Sequence, residues 1–162
     1  MTRAKRANPA RRLHFGAGLT LCAVLLFLSG TVPVLADAAA AEVKRALTQW
    51  MADFNAGKSD RVCDLFADDI RADYRGYPTR DHQAVCDLLT KSLSDSTRDF
   101  RYALDIKEIL SFGDVVVVRL VWTLTIKQND GRKITSVEPG MDIFRRQADG
   151  RWKIVRYMAY EE

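Results

Sequence analysis

Val116-Val117-Val118-Arg119-Leu120-Val121-Trp122-Thr123-Leu124-Thr125-Ile126, followed by Asn129-Asp130-Gly131, is the stretch from which the fold is read. Val116, Val118, Leu120, Trp122, Leu124 and Ile126 recur at every second position, the period of a strand with one buried face. Asn/Asp-Gly adopts positive φ at low cost, so the strand turns back on itself as a hairpin. Upstream, Phe100, Tyr102, Leu104, Ile106 and Leu110 share one face, with Arg101, Asp105 and Lys107 opposite. Downstream, a third long segment runs from Lys133 to Arg146, and Asp149-Gly150 turns the chain into a last strand, Trp152 to Tyr160. The second half therefore predicts an antiparallel meander.

The first half has the helical period instead. From Ala38 to Ala56, Val43, Leu47, Trp50, Met51 and Phe54 fall on one face, and Gly57 supplies a stop. Ser59 or Asp60 is placed to cap a second, shorter helix carrying Val62, Leu65 and Phe66. Ile70 to Tyr74 reads as a short extended piece before a Gly76-Tyr77-Pro78 turn. Thr79 or Asp81 then opens a third helix with Val85, Leu88, Leu89 and Leu93 inward, ending near Ser94-Asp95. Helices first and strands afterwards predict an α+β domain: a curved antiparallel β-meander forming a cone, packed against three N-terminal helices.

Glu138-Pro139-Gly140 interrupts the third strand segment. Proline cannot donate to a ladder and glycine packs nothing, so a bulge or sharp bend is expected there. Strong curvature with helices across the mouth would leave an internal hollow; a tight bend without one is the alternative.

The N-terminus carries Arg3, Lys5, Arg6, Arg11 and Arg12 with no acidic residue, then an uncharged run from Phe15 to Ala36 ending in Val34-Leu35-Ala36. A basic region, an apolar stretch and small residues before a cleavage point make a secretory signal peptide, residues 1–36, cut near Ala36. Gly16, Gly18, Gly30 and Pro33 disfavour a spanning helix, so no stable membrane anchor is expected after cleavage. The expectation is a periplasmic or secreted protein whose residues 37–162 form one domain. The whole chain has 25 Lys and Arg against 21 Asp and Glu; without the five basic residues of the leader the balance is 20 against 21. The mature domain is thus nearly neutral, with no basic excess for a nucleic-acid partner.

Phe66-Ala67-Asp68-Asp69-Ile70 followed by Gly76-Tyr77-Pro78 resembles the helix-to-strand corner of nuclear-transport-factor-2-like proteins. Asp142-Ile143-Phe144-Arg145-Arg146 with Asp149-Gly150-Arg151-Trp152-Lys153-Ile154-Val155 resembles their closing hairpin. The likeness spans roughly Val43 to Tyr160 and points to the polyketide-cyclase-like (SnoaL-like) branch, with a more distant similarity to ketosteroid isomerases. It implies the cone fold, which hosts isomerases, cyclases, dehydratases and adaptors alike, so the fold alone names no reaction. Set on the isomerase pattern, Asp142 falls where that family keeps an aspartic acid protonated by its apolar surroundings. Tyr74 falls where the carboxylate base belongs, with Asp73 one residue earlier, and Trp50 falls where a tyrosine belongs. One position of three matches, which argues against steroid isomerisation.

Asp142 shares strand parity with Glu138, Gly140 and Phe144, so an inward Phe144 would bring both carboxyls inside. A carboxyl in apolar surroundings has a raised pKa and can serve as general acid or hydrogen-bond donor. Asp142 and Glu138 are accordingly the candidate catalytic residues; solvent exposure, or ion pairs with Arg119 or Arg156, is the structural alternative. Trp50, Phe54, Tyr74, Trp122 and Tyr157 are candidates for an aromatic pocket, and His82, in a polar setting, reads as a surface residue.

One histidine and two cysteines in the mature chain, without HExxH or CxxC, give no metal site. With no glycine-rich phosphate loop or GxSxG elbow either, no cofactor is expected. Cys63 on the second expected helix and Cys86 on the third, neighbouring helices of an exported chain, are expected to form a disulfide, two buried thiols being the other option. Taken together, the residues predict a binding domain for a small apolar molecule. An isomerase, cyclase or dehydratase using Asp142 with Glu138 or Asp73 is the first alternative. A homodimeric interaction module, pairing through the outer face of the sheet, is the second.

Overall fold

The computed structural model describes the backbone of residues 32–162 and the side chains from Ala38 onward. The expected leader lies outside the described residues except for its last positions, where helix α1 has already begun. The order is α1 (Val32–Asn55), β1 (Phe66–Tyr74), α2 (His82–Ser94), β2 (Arg98–Phe112), β3 (Val115–Gln128), β4 (Lys133–Arg146) and β5 (Trp152–Ala159). The five strands make one curved, unclosed sheet in the order β1-β5-β4-β3-β2.

Local pattern explains most elements. Val43, Leu47, Trp50 and Phe54 line the buried face of α1, and Gly57 at φ 73° ends the helix. In α2 the Asp81 carboxylate accepts a bond from the Ala84 backbone N–H at 3.0 Å, satisfying one of the first-turn donors. Val85, Cys86 and Leu89 are its buried residues, whereas Leu88 is 48% exposed and does not face the core as expected. The Asn129-Asp130-Gly131 turn forms with Gly131 at φ 88°, its N–H donating to the Gln128 carbonyl.

Three expectations need correction. The segment 58–65 forms turns, not a helix, so the described residues contain two helices and not three. It still buries Val62 and Leu65, and the Trp50 indole N–H bonds the Val62 carbonyl at 2.8 Å. A segment this short does not by itself repay the cost of nucleating a helix. Next, the extended piece before Gly76 is a nine-residue edge strand, β1, and it pairs with β5 in parallel; the sheet is not a pure antiparallel meander. Lastly, Glu138-Pro139-Gly140 neither bulges nor bends out of register. The β3–β4 ladder runs unbroken from Val115↔Arg145 to Lys127↔Lys133.

Pro139 is tolerated because of where its missing donor would point. Its carbonyl accepts from the Tyr160 N–H at 3.3 Å, so its backbone polar groups face the β5 side, at the end of β5. The β3 ladder loses nothing. Gly140 is needed for closeness: a Cβ there would lie 2.8 Å from the Met158 carbonyl oxygen.

Register shifts occur elsewhere: between Phe66 and Arg71 on β1, and at Lys107 on β2 and Val155 on β5, where the register skips one residue. Each one-residue skip resets the alternation of its strand. After Lys107 the inward side chain is Ile109 and not Leu110, which is 44% exposed. On β5, Val155 is absorbed between Ile154 and Arg156, so that Trp152, Ile154, Tyr157 and Ala159 all turn inward.

Candidate functional site

The inner face of the sheet, the C-terminal half of α1 and one side of α2 enclose a cavity of about 440 Å³. Position on the elements accounts for its walls. Trp50 and Phe54 lie one turn apart on α1; Tyr102, Trp122 and Leu124 project from the inner parity of β2 and β3; Tyr74 and Tyr157 come from β1 and β5. Helix α2 supplies Val85, Leu88, Leu89 and Ser92. The exposed Tyr77, Leu88 and Ile134 belong to the same lining and mark where it opens to solvent.

The rings form a connected cluster. Trp50 packs on Trp122 with centroids 5.3 Å apart, on Tyr102 at 5.7 Å and on Phe66 at 6.0 Å. Tyr102 packs on Phe54 at 4.9 Å and on Trp122 at 5.6 Å. Most of these pairs are edge-to-face, the arrangement favoured by ring quadrupoles.

Glu138 and Asp142 lie on β4 with Gly140 between them and Phe144 beyond. Because the β3 register is unbroken, all four share the inner parity. Glu138 is 7% exposed and stands opposite Trp122; it accepts a bond from the Ser136 hydroxyl at 3.3 Å. Asp142 is wholly buried opposite Tyr157 of β5, and neither carboxyl oxygen has a hydrogen-bond partner among the described residues. Burial pushes the Asp142 carboxyl up to about 8 and also raises that of Glu138, which Ser136 opposes. Tyr157 is raised well above the ordinary phenol value by burial and then by the nearby charges of Asp142 and Glu138. Tyr74 and Tyr102 are raised by burial first and Glu138 second.

The alternative ion pairs do not form. Arg119 lies on the outer face 3.7 Å from Glu108, and Arg156 donates to backbone carbonyls of Asp69 and Val155. Asp53 shows what a partnered buried acid looks like here: Lys58 at 2.8 Å, Gln49 at 2.9 Å and Arg61 at 3.5 Å surround it, and the Lys58 bond leads in lowering its pKa. Asp142 has none of this.

The structure thus brings Trp50, Phe54, Tyr74, Trp122, Tyr157, Glu138 and Asp142 to one cavity. Asp73 is excluded from it: it is exposed on β1 and accepts a bond from the Thr79 hydroxyl, while Tyr74 takes the inward position. His82 is half-buried at the first turn of α2, beside the Cys86 sulfur, and is not among the residues that line the cavity. Sequence reasoning missed Tyr102 as a wall of the site, although its parity with Phe100 and Leu104 was the available signal. Cys63 and Cys86 are joined as a disulfide, Cα atoms 5.5 Å apart, tying the 58–65 turns to α2. No group of three metal-ligating side chains occurs among the described residues.

Residues 47–157 match the family described as the SnoaL-like domain. No curated protein aligns significantly with the chain. Among solved structures, a ketosteroid isomerase-like protein from Erwinia carotovora atroseptica superposes with a TM-score of 0.63 at 21% identity, covering 75% of this chain and 95% of that one. A Streptomyces avermitilis protein of the NTF2-like family, provisionally named a dehydratase, gives 0.65 at 18% identity, covering 78% and 97%. ActVI-ORFA from Streptomyces coelicolor gives 0.64 at 14% identity, covering 77% and 98%. At these identities the likeness establishes a common fold, not a common reaction.

Proposed function

This chain belongs to the SnoaL-like domain family, within the NTF2-like fold, and we propose that it binds a small, largely apolar molecule in the cavity bounded by α1, α2 and the curved sheet. One observation carries this reading: a hollow of about 440 Å³, walled by rings, contains a wholly buried carboxyl with no partner among the described residues. Leaving such a group unsatisfied costs free energy, on the order of 1–3 kcal/mol, that a bound molecule would recover by hydrogen bonding to it. The volume lies in the range of small-molecule sites, which are mostly apolar with a few convergent polar groups. We read the curved sheet and the two helices as the cone of this family.

The test is a thermal-shift screen of apolar compounds, with native mass spectrometry of the purified protein. Ligand that binds only the folded state raises its melting temperature. Should no compound do so, and only bare protein be detected, the binding reading is wrong.

A second reading is favoured by the protonation of Asp142. A carboxyl pushed up to about 8 is mostly protonated at neutral pH and can act as general acid or oxyanion donor, with Glu138 as the neighbouring base. An isomerase, cyclase or dehydratase reaction would use such a pair. Full turnover by a folded Asp142→Asn variant, on any substrate found, would remove this reading.

The disulfide supports export to an oxidising compartment, and no described helix is long and apolar enough to cross a membrane. Met141, Met158 and Val137 are exposed on the outer face of the sheet, which supports pairing of two copies through that face.

A further inference from the structure

We infer that the molecule accepted by this cavity carries a positively charged nitrogen: an apolar amine or quaternary ammonium ion, its charge facing the Glu138 carboxylate within the aromatic-lined cavity. This rests on the binding reading above and adds to it the charge of the ligand.

Charge in the cavity wall is unbalanced. Glu138 and Glu161 line the cavity together with Asp142, whose carboxyl is mostly protonated at neutral pH and adds no charge there, and the one basic residue of the lining among the described residues is Arg80. Its guanidinium lies over the Tyr77 ring, 5.1 Å from the centroid, in the exposed part of the lining. The titratable groups that face Glu138 and Asp142 from the other elements are phenols, Tyr74 of β1, Tyr102 of β2 and Tyr157 of β5, together with Glu161. None is a cation. Buried carboxyls are ordinarily paired, as Asp53 is, because an uncompensated one is costly. Glu138, bonded only by the Ser136 hydroxyl, has no such countercharge among the described residues, and the space for one is the cavity itself. An anionic ligand would add a further negative charge beside Glu138 and is disfavoured.

The aromatic lining suits the same charge. Trp50, Tyr102 and Trp122 have centroids 5.3 to 5.7 Å apart with interplanar angles of 45° to 71°. At these separations the three rings touch one another, so a guest packs against the cluster and not between its rings. Aromatic faces carry negative potential, and tryptophan attracts cations most strongly. Glu138 stands opposite Trp122 in the β3–β4 ladder, which sets its carboxyl beside that cluster. The unpartnered Asp142 oxygens provide a further acceptor for an N–H of an amine ligand.

The experiment compares charged probes with neutral isosteres. Phenyltrimethylammonium and benzyltrimethylammonium are titrated against tert-butylbenzene and neopentylbenzene, with occupancy read from the fluorescence of Trp50 and Trp122. Each cation is expected to bind about tenfold or more tighter than its neutral counterpart. In Glu138→Gln, checked for folding by circular dichroism, that preference should shrink. Equal or tighter binding of the neutral members in the unmutated protein would overturn the cation assignment and leave the cavity reading standing. Binding of neither class would overturn both.

Discussion

Asn55 and Tyr102 are joined by two reciprocal hydrogen bonds, each 2.8 Å: the Asn55 amide donates to the Tyr102 carbonyl, and its oxygen accepts from the Tyr102 N–H. Because β2 is an edge of the sheet, the side chain at the end of α1 stands in for a neighbouring strand at this position. Asn55→Ala should lose both bonds and leave a backbone pair unmatched. We expect a destabilisation of about 1–3 kcal/mol by urea denaturation, with weaker ligand binding because Tyr102 walls the cavity. An unchanged midpoint would show that water replaces the amide without loss.

Asp142 predicts an unusual pH dependence. Its folded pKa, about 8, lies above the ordinary carboxyl value of 3.8. Between these values the unfolded chain has released the proton and the native one has kept it. Stability therefore falls as pH rises through this window and levels off above it. Asp142→Asn should flatten the slope between pH 4 and 8 in denaturation series. The same slope in both proteins would assign the effect to other groups.

Gly140→Ala should cost about 1–3 kcal/mol, since the new methyl would meet the Met158 carbonyl oxygen at 2.8 Å and the β4–β5 pair must separate. Thermal melting provides the measurement. A stability equal to that of the native sequence would mean the strands part freely there.

Removing the Cys63–Cys86 bridge by a double serine substitution opens a loop of 23 residues. The chain-entropy model gives a loss of about 3 kcal/mol. Because the bridge holds α2, which walls the cavity, ligand affinity should fall as well. Reductant added to the native protein should lower the melting temperature in the same direction, and no shift with titratable thiols exposed would refute the role.

Met141 and Met158 face each other across β4 and β5 on the outer surface, both exposed. If two copies pair there, Met158→Lys should convert a dimer into a monomer in sedimentation, with ligand binding intact. A native protein that is monomeric at all concentrations would rule out this interface.

The amino-acid sequence by itself determined the secondary structure wherever period and punctuation were local. The α1 face from Val43 to Phe54, the alternation from Val116 to Ile126, and the Asn129-Asp130-Gly131 turn each depend on neighbours within a few residues. It spaced Glu138 and Asp142 four residues apart on one segment, but only the unbroken β3–β4 register put them on one parity. Tertiary structure alone decided the rest. The bulges at Lys107 and Val155 exist only against partner strands, so the switch from Leu110 to Ile109 left no trace in local pattern. The parallel pairing of β1 with β5 joins residues roughly ninety positions apart. Whether Asp142 meets a cation, water or nothing is settled by side chains arriving from both helices and all five strands, because an enclosed volume is a property of every wall at once.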